Sequence, residues 1–491
     1  MNNTNHSFSE NKQIVNNDYR PKFHFSAPTG WINDPNGFSF FQGKYHLFYQ
    51  YSPYDTKQAE MHWGHAISDD LIQWEHQPIA LSPDADYDKD GCWSGSAIVK
   101  DGRLYLLYTG VAKNSDGTLK QTQNLAFSTD GVLFNKYEGN PVITNDNIAD
   151  WTSKVDFRDP YIIECGQGDY LILIGTHSDH DAMLVSYKTK DFIHYQFHKT
   201  IARSNKNGSM YECPTFFQDT DHDVLVISPQ DKLPELNSFW NVSSSMYTLL
   251  DKHSICDNSH VGEFHEIDHG LDFYAPQILN DGHQSIMIAW MYMWGRRYYL
   301  DEIRHHWIHN LTLPRTVSVR DNKLIQQPIS SIYRYFKNPL NITTKIDQLT
   351  EIEHFSGATF NLQVSIPYTR DLVFEVMLQA DEKHHSLIKY DAKENILIID
   401  RRNSGVHLVG LEREKSHHGY RQVEVFPKEG LIKLNIFIDV IAIEVFVNDG
   451  EETLSMISFA KGQKILFRSS TPIDVSILIH EIVIESNQTV K

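Results

Sequence analysis

The chain has 491 residues and a formal net charge of −19, and 41% of its residues are hydrophobic. This length is sufficient for two domains with large cores. The negative charge argues against nucleic acid or an anionic membrane surface as a partner. No apolar run approaches transmembrane length and the polar N-terminus contains no signal peptide, so the sequence predicts a cytoplasmic protein without membrane contact.

Residues 1–21 are predicted to form a loosely ordered lead-in, and residues 22–335 contain a fivefold repeat. In each repeat, a Pro or Gly is followed about ten residues later by an apolar or aromatic strand. The strands are anchored at Tyr45, Tyr105, Tyr170, Leu225 and Ile286, which are 60, 65, 55 and 61 residues apart. A fixed period indicates a repeat architecture, and each period has room for about four short strands. The sequence therefore predicts a five-bladed β-propeller.

A second motif recurs in the first three repeats. The segments 68–74, 128–134 and 189–195 read SDDLIQW, STDGVLF and TKDFIHY. Each places a hydroxyl residue two positions before an Asp and ends in an aromatic residue. This pattern predicts a turn that leads into the outer strand of a blade.

The pattern changes after the fifth repeat. Residues 336–351 are predicted to be a linker, and residues 352–491 alternate as half-buried strands without the repeat. Asn448-Asp449-Gly450 is a strong hairpin signal. These features predict a C-terminal β-sandwich, so the whole chain is expected to be all-β.

Polar residues stand beside the repeat position in every predicted blade. They are Asp34, Ser94, Arg158 with Asp159, Glu212, and Tyr274. Equivalent first strands of a propeller line its central axis, so these side chains are expected to meet at one mouth. Blade-core positions are normally apolar, and three carboxylates at equivalent positions therefore indicate a functional site.

Three converging carboxylates suit cleavage of a glycosidic bond, which needs one ionised and one protonated carboxyl group. Asn33 and Asn36 flank Asp34 and are expected to favour its charged form. Glu212 lies close to apolar residues, which are expected to raise its pKa. Asp159 follows Arg158, which is expected to keep Asp159 ionised so that it grips sugar hydroxyls.

The four cysteines, Cys92, Cys165, Cys213 and Cys256, are widely spaced and form no CxxC pair. Neither a disulfide framework nor a zinc site is predicted from them. The 26 histidines include no HExxH signature, so no metal and no cofactor is expected.

These residues resemble the motifs of glycoside hydrolase family 32, which comprises invertases, fructanases and sucrose-6-phosphate hydrolases. The similar segments are WINDPNG (31–37), LSPD (81–84), WSGSA (93–97), FRDP (157–160), YECP (211–214), DFYAPQ (272–277), LPR (313–315) and EVFVNDG (444–450). The resemblance covers residues 22–490 and implies a five-bladed propeller, a sandwich and retaining hydrolysis of β-fructofuranosides.

The resemblance also implies roles for individual residues. Asp34 would be the nucleophile, Glu212 the acid/base and Asp159 the residue that binds fructose hydroxyls. The expected substrate-binding residues are Asn33, Gln50, Trp63, Trp93, Ser94, Arg158, Tyr274 and Trp294. Two positions depart from the family pattern, Gln58 where a tryptophan is frequent and His309 where a glycine is usual, and both bear on the preference for the leaving group.

Three functional hypotheses follow. The first is a hydrolase of sucrose or sucrose-6-phosphate, acting as a monomer or homodimer. Its phosphate contacts would come from Arg296, Arg297 and His305, unless these belong to an ordinary solvated charge cluster. The second is hydrolysis of short fructo-oligosaccharides or transfer of fructose to another sugar. The third is a non-catalytic carbohydrate-binding propeller, which would be expected to lack one of the acids.

Overall fold

The structure is a computed structural model that describes residues 15–147, 152–257, 261–353, 355–408, 410 and 419–484. Within these ranges the chain is almost entirely β. It forms 33 strands, the short helix α1 (Tyr299–Glu302) and two 3-10 turns, Asn145–Asn147 and Ser330–Tyr335. Among the described residues, none of the helical segments has the length and apolar character that crossing a bilayer would require.

The first part of the chain forms five separate sheets, each with antiparallel neighbours in chain order. Sheet one contains β1 (Gly30–Phe41), β2 (Lys44–Ser52), β3 (His62–Ser68) and β4 (Glu75–Leu81). Sheet two contains β5 (Gly91–Lys100), β6 (Arg103–Lys113), β7 (Leu119–Ser128) and β8 (Asn135–Lys136). Sheet three contains β9 (Phe157–Gly166), β10 (Asp169–His177), β11 (Ala182–Thr189) and β12 (Gln196–Ser204).

Sheet four contains β13 (Met210–Gln218), β14 (His222–Gln230), β15 (Met246–Asp251) and β16 (His265–Glu266). Sheet five contains β17 (Tyr274–Asn280), β18 (Ser285–Trp290), β20 (Arg315–Arg320) and β21 (Lys323–Pro328). Strand β19 (Trp307–Ile308) pairs in parallel with β1 and so joins the end of the repeat region to its beginning.

The first strands of the five sheets contact one another in cyclic order: β1, β5, β9, β13, β17 and again β1. All five anchors of the sequence repeat lie in the second strands, β2, β6, β10, β14 and β18. A closed ring of sheets is one way in which β proteins protect their edges. The 60-residue period therefore corresponds to one sheet per repeat.

The hydroxyl–Asp motif forms the predicted turn in each of the first three sheets. The Oδ1 atom of Asp70 accepts the backbone N–H groups of Ile72 and Gln73, at 3.0 and 2.9 Å. Asp130 and Asp191 accept the equivalent pairs of N–H groups. These local hydrogen bonds reverse the chain before strands β4, β8 and β12.

The C-terminal part forms two six-stranded sheets. The order in one is β22 (Phe336–Ile346), β33 (Ile473–Ile482), β24 (Thr359–Pro367), β29 (Leu431–Asp439), β30 (Ala442–Val447) and β31 (Glu452–Ile457). The other contains β23 (Thr350–Glu351), β32 (Lys464–Ser469), β25 (Val373–Ala380), β26 (Ser386–Asp391), β27 (Ile396–Asp400) and β28 (Tyr420–Glu424). Leu, Ile and Val side chains of both sheets fill one buried core between them.

The predicted linker is wrong, because residues 336–351 supply strands to both of these sheets. The exposed residues of β22 alternate along the strand, and its partner β33 lies more than a hundred residues further along the chain. The region resembled a connector because β22 is an edge strand with one solvated face, and it contains Pro339.

The N-terminal segment also differs from its prediction within the described residues, whereas residues 1–14 lie outside them. Tyr19 is buried, and the indole N–H of Trp307 donates to the carbonyl oxygen of Asn16 at 2.8 Å. The guanidinium of Arg20 lies 4.3 Å from the centre of the Trp307 ring. Residues 15–20 are therefore packed against the β19 region.

The cysteine spacing indicated no disulfide framework, but the structure contains one disulfide. Cys165 at the end of β9 is bonded to Cys256 after β15, which crosslinks sheets three and four. The two cysteines are 91 residues apart in sequence. Their separation hides the pairing, because only the closure of the ring brings these neighbouring sheets together. Cys92 and Cys213 are free thiols and both are buried.

Candidate active site

The first strand of every sheet in the ring carries a register break near the repeat position. The breaks fall between Ile32 and Pro35 in β1, Trp93 and Gly95 in β5, and Glu212 and Thr215 in β13. Strands β9 and β17 are interrupted at the equivalent places. A bulge turns side chains away from the regular alternation of a strand. It therefore directs polar side chains toward the ring interior without placing them in the apolar layers between the sheets.

Three residues at these bulges have a left-handed backbone conformation. The φ angles are +63° at Asp159, +45° at Cys213 and +51° at Ala275. Such angles are uncommon for residues other than glycine and concentrate at functional sites.

The bulges surround a cavity of about 320 Å³. Ten of the predicted catalytic and substrate-binding residues line it: Asn33, Asp34, Gln50, Trp93, Ser94, Arg158, Asp159, Glu212, Tyr274 and Trp294. Gln58, the first departure from the family pattern, is also part of its wall. The structure therefore brings together side chains from all five sheets, although the residues are up to 261 positions apart, from Asn33 to Trp294.

Asp34 is 9% exposed and makes one strong hydrogen bond. The hydroxyl of Ser94 donates to its Oδ2 atom at 2.7 Å, and the Cys213 thiol lies 3.4 Å from the same oxygen. Its Oδ1 atom accepts no hydrogen bond of ordinary geometry from the described residues. Burial raises the pKa of Asp34, the Ser94 hydroxyl opposes this rise and the nearby Glu212 adds to it. As predicted, the Asn33 amide favours the charged form of Asp34, but burial outweighs this effect and the pKa is raised.

Glu212 receives hydrogen bonds from two sheets. The guanidinium of Arg158 donates to its Oε1 atom from Nε at 3.1 Å and from Nη2 at 2.8 Å. The phenol of Tyr274 donates to its Oε2 atom at 2.6 Å. Because both carboxyl oxygens are held, the orientation of Glu212 is defined by residues of β9 and β17.

Asp159 is buried and lies close to the other two acids. The backbone N–H of Cys213 donates to its Oδ2 atom at 3.0 Å. Burial raises the pKa of Asp159 to about 7, against the opposing effect of Arg158, and the charges of Glu212 and Asp34 contribute to this rise. The prediction that Arg158 keeps Asp159 ionised underestimated burial. The charge of Arg158 lowers the pKa of Asp159 as expected, but burial outweighs it, and the guanidinium itself is paired with Glu212 and Asp156.

The aromatic wall of the cavity is supported from behind. Trp294 stacks on buried Trp31, with ring centroids 6.1 Å apart, and the indole N–H of Trp31 donates to Asn33 Oδ1 at 2.8 Å. His309 lies 4.4 Å from Trp31 and hydrogen-bonds Ile32 O through Nδ1 at 2.9 Å. Its φ of +73° explains why a glycine would suit this position. Burial lowers the pKa of His309 to about 3, so at neutral pH it is an uncharged support of the wall.

Trp63 and the predicted phosphate contacts are not among the cavity-lining residues. Trp63 is fully buried between sheets one and two. Arg296 is buried and donates to Asp272 and Asn241, and His305 is buried against the Asn16 carbonyl. Arg297 is paired with Glu302. The cationic run between β18 and β20 is therefore used in internal contacts. Arg296 and His305 bind partners that are distant in sequence, whereas Arg297 pairs with a residue five positions away.

Three further residues, Gln230, Asp231 and Ser243, line the cavity and were not predicted. A signal for Gln230 was present in the repeat. It lies five residues after the anchor Leu225, just as Gln50 lies five residues after the anchor Tyr45. Asp231 has a φ of +59° and accepts a hydrogen bond from the Ser209 hydroxyl at 2.8 Å, and neither feature is visible in the sequence.

Paired carboxyl groups facing a sugar-sized volume are the arrangement that glycoside hydrolases use. Comparison with known families agrees. The model of the glycosyl hydrolases family 32 N-terminal domain matches residues 24–328, and the C-terminal model of the same family matches residues 332–479. The chain therefore belongs to glycosyl hydrolase family 32.

Similar proteins include the sucrose-6-phosphate hydrolase of Bacillus subtilis (strain 168), which is 33% identical and aligns over 90% of this chain and 89% of its own length. The raffinose invertase of Escherichia coli is also 33% identical, and the alignment covers 89% of each chain. Among solved structures, a GH32 β-fructofuranosidase of Bombyx mori is 31% identical, with a TM-score of 0.83 over 95% of both chains.

Proposed function

We propose that this chain is a retaining β-fructofuranosidase that hydrolyses the fructosyl linkage of sucrose, sucrose-6-phosphate or both. One observation carries the proposal. Asp34 and Glu212 line the same cavity, and the Oδ1 atom of Asp34 accepts no hydrogen bond of ordinary geometry from the described residues, whereas both oxygens of Glu212 are held. A desolvated carboxylate oxygen without a donor is available as a nucleophile, and a fixed carboxyl group can transfer a proton.

The first half of the reaction forms a covalent intermediate. Asp34 attacks the anomeric carbon of the fructosyl unit, and the bond from that carbon to the leaving oxygen breaks. Glu212 gives its proton to the leaving oxygen, which departs as the hydroxyl of glucose or glucose-6-phosphate.

In the second half, Glu212 takes a proton from a water molecule, which attacks the same carbon and releases Asp34. Two displacements at one carbon retain its configuration. Asp159 binds fructose hydroxyls beside the nucleophile, while Trp93 and Trp294 provide apolar faces for the sugar ring. The remaining wall residues, Asn33, Gln50, Ser94, Arg158 and Tyr274, bind the sugar or hold the acids.

Asp34→Asn and Glu212→Gln test these roles, and Asp69→Asn, at an exposed acid outside the cavity, is the matched control. We expect Glu212→Gln to lower kcat on sucrose by about 10²–10⁴-fold, the usual contribution of general acid–base catalysis. With β-fructofuranosyl fluoride, whose leaving group needs no proton, the variant should accumulate a fructosyl adduct on Asp34 that mass spectrometry detects. Near wild-type hydrolysis of sucrose by either variant would contradict the assignment.

The preferred leaving group is identified by comparing kcat/KM for sucrose-6-phosphate, sucrose and 1-kestose, measured side by side at low salt. The names of the relatives support a phosphorylated substrate, whereas Arg158 is the only cation among the described residues that line the cavity. A tenfold preference corresponds to about 1.4 kcal/mol of transition-state discrimination. A preference of this size for sucrose-6-phosphate would establish a phosphate-binding leaving-group site. Equal or better turnover of sucrose or kestose would establish a general β-fructosidase.

We also propose that the five sheets are the blades of a five-bladed propeller, because their first strands contact one another in a closed cycle. The enzyme is proposed to act in the cytoplasm, where sucrose phosphorylated during import would be available, and to be a monomer or homodimer. Cell fractionation tests the location, and light scattering of the purified protein tests the oligomeric state.

A further inference from the structure

Residues 267–273, here called the linking segment, connect sheet four to sheet five and lie along β31, the edge strand of a sandwich sheet. The backbone N–H groups of His269 and Leu271 donate to the carbonyl oxygens of Thr453 and Ser455, both at 2.8 Å. The N–H of Ser455 in turn donates to the carboxylate of Asp268 at 2.9 Å. The linking segment is therefore paired with the sandwich in the manner of an added strand.

The linking segment approaches β31 so closely that position 270 requires a glycine. A Cβ atom at Gly270 would lie 2.1 Å from the backbone nitrogen of Ser455 and 2.2 Å from its carbonyl oxygen. Both neighbours are backbone atoms, so a side chain here would force the segment away from β31. The register of the linking segment on the sandwich is thus fixed at its centre.

Asp272 is fully buried and connects the segment to side chains of both domains. Its Oδ1 atom accepts Arg296 Nη1 at 2.6 Å, and its Oδ2 atom accepts the Ile457 N–H at 2.8 Å. Arg401, which follows strand β27 of the sandwich, also donates to Oδ2. Because both carboxylate oxygens of Asp272 accept hydrogen bonds, its side chain is held in one orientation.

Tyr274 follows two residues later and reaches the active site. Its phenol donates to Glu212 Oε2 at 2.6 Å and lies 3.1 Å from the carbonyl oxygen of Ser228. Tyr274 is buried, and the next residue, Ala275, has a φ of +51°. The backbone between Asp272 and Tyr274 is too short to absorb a displacement, so the position of the phenol depends on how the linking segment is held.

We propose that the C-terminal sandwich positions the acid/base of the reaction through this segment, with Asp272 and Arg401 as positioning residues. The order of contacts is Arg401 to Asp272, Asp272 through the backbone to Tyr274, and Tyr274 to Glu212. The inference rests on the proposed function, because it concerns the residue assigned to proton transfer.

The experiment compares Arg401→Met with His24→Gln in the full-length enzyme. His24 is an equally buried interdomain ion-pair residue, and it contacts Asp439 and Glu444, not the linking segment. We expect Arg401→Met to lower kcat/KM on sucrose at least tenfold and to shift the pH profile of kcat/KM. His24→Gln should stay within twofold of wild type. The loss in kcat/KM of Arg401→Met should be much smaller with β-fructofuranosyl fluoride, because kcat/KM reports the first displacement, in which the fluoride needs no proton from Glu212. Asp272→Asn, which is isosteric, serves if Arg401→Met does not fold.

A double-mutant cycle with Tyr274→Phe tests whether Arg401 acts on Glu212 through Tyr274. If Arg401 acts through the Tyr274 phenol, adding Arg401→Met to the Tyr274→Phe variant should lower kcat/KM on sucrose less than twofold. Fully multiplicative losses, or equal losses of kcat/KM on sucrose and on the fluoride, would overturn the inference. These outcomes are distinct from failure of the proposed function, in which the wild-type enzyme itself would not hydrolyse sucrose, sucrose-6-phosphate or kestose.

Discussion

His24 offers a quantitative test of the interface between the two parts of the chain. Its side chain is fully buried, with Nδ1 2.9 Å from Asp439 and Nε2 2.9 Å from Glu444. Burial alone would lower the pKa of His24, but the hydrogen bonds to both carboxylates and their charges raise it to about 9. Both ring nitrogens thus carry protons at neutral pH, and the imidazolium bridges two sandwich strands.

The size of the effect follows from linkage. Because the pKa of His24 is about 9 in the folded protein and about 6.5 in the unfolded chain, protonation stabilises the folded state by about 3 kcal/mol. This contribution is fully present below pH 6.5 and is lost as the pH rises through 9. With an unfolding entropy of about 2 cal/mol/K per residue, the chain of 491 residues should lose about 3 °C in Tm from this group.

The assay is the Tm of the wild-type protein and of His24→Gln, measured at matched scan rates from pH 6 to pH 10. Glutamine cannot gain a proton, so the Tm difference between the two proteins should shrink by about 3 °C over this range. His283→Gln, at an exposed histidine, is the control for the pH dependence of the rest of the protein. Parallel curves for wild type and His24→Gln would refute the assignment of a charged histidine at the interface.

Three further predictions concern other contacts. Arg158→Lys should lower kcat/KM on sucrose by about 10–100-fold, since a lysine cannot reproduce the two hydrogen bonds to Glu212. An unchanged kcat/KM would show that the hydrogen bonds between Arg158 and Glu212 do not contribute to catalysis. Gly450→Ala should lower Tm without changing kcat, because its Cβ would lie 1.9 Å from the carbonyl oxygen of Gln326 in β21; an unchanged Tm would contradict this close packing. Thiol titration of the unfolded, unreduced protein should find two free thiols rather than four, and reduction of Cys165–Cys256 should destabilise the fold by about 4–5 kcal/mol for a loop of 91 residues; four reactive thiols would exclude the disulfide.

The comparison of sequence and structure is most informative at the three acids. The positions of Asp34, Asp159 and Glu212 on one cavity could be predicted because each stands at the same place in a repeat, and equivalent strands of a closed ring face the same axis. Their electrostatics could not be predicted from neighbours in sequence. Arg158 precedes Asp159 but is directed at Glu212, because a bulge turns consecutive side chains in different directions.

The cations between β18 and β20 illustrate the same limit. Arg296 and His305 looked like candidates for phosphate contacts, since a cluster of charges is visible in the sequence. The structure uses them against Asp272 and Asn16, which are 24 and 289 residues away. A buried charge must find a partner, and the partner is chosen by the fold.

The sequence by itself determined the number of repeats, the strand at the centre of each, the local turns after β3, β7 and β11, and which acids share one cavity. These features are encoded in periodicity and in short-range hydrogen bonds, which act between residues close together in the chain. Only the tertiary structure decided that residues 336–351 are sandwich strands, that Cys165 meets Cys256 and that the linking segment is held by β31. Each of these depends on surfaces that become neighbours only when the ring closes and the sandwich packs against it, because burial, not local preference, stabilises those contacts.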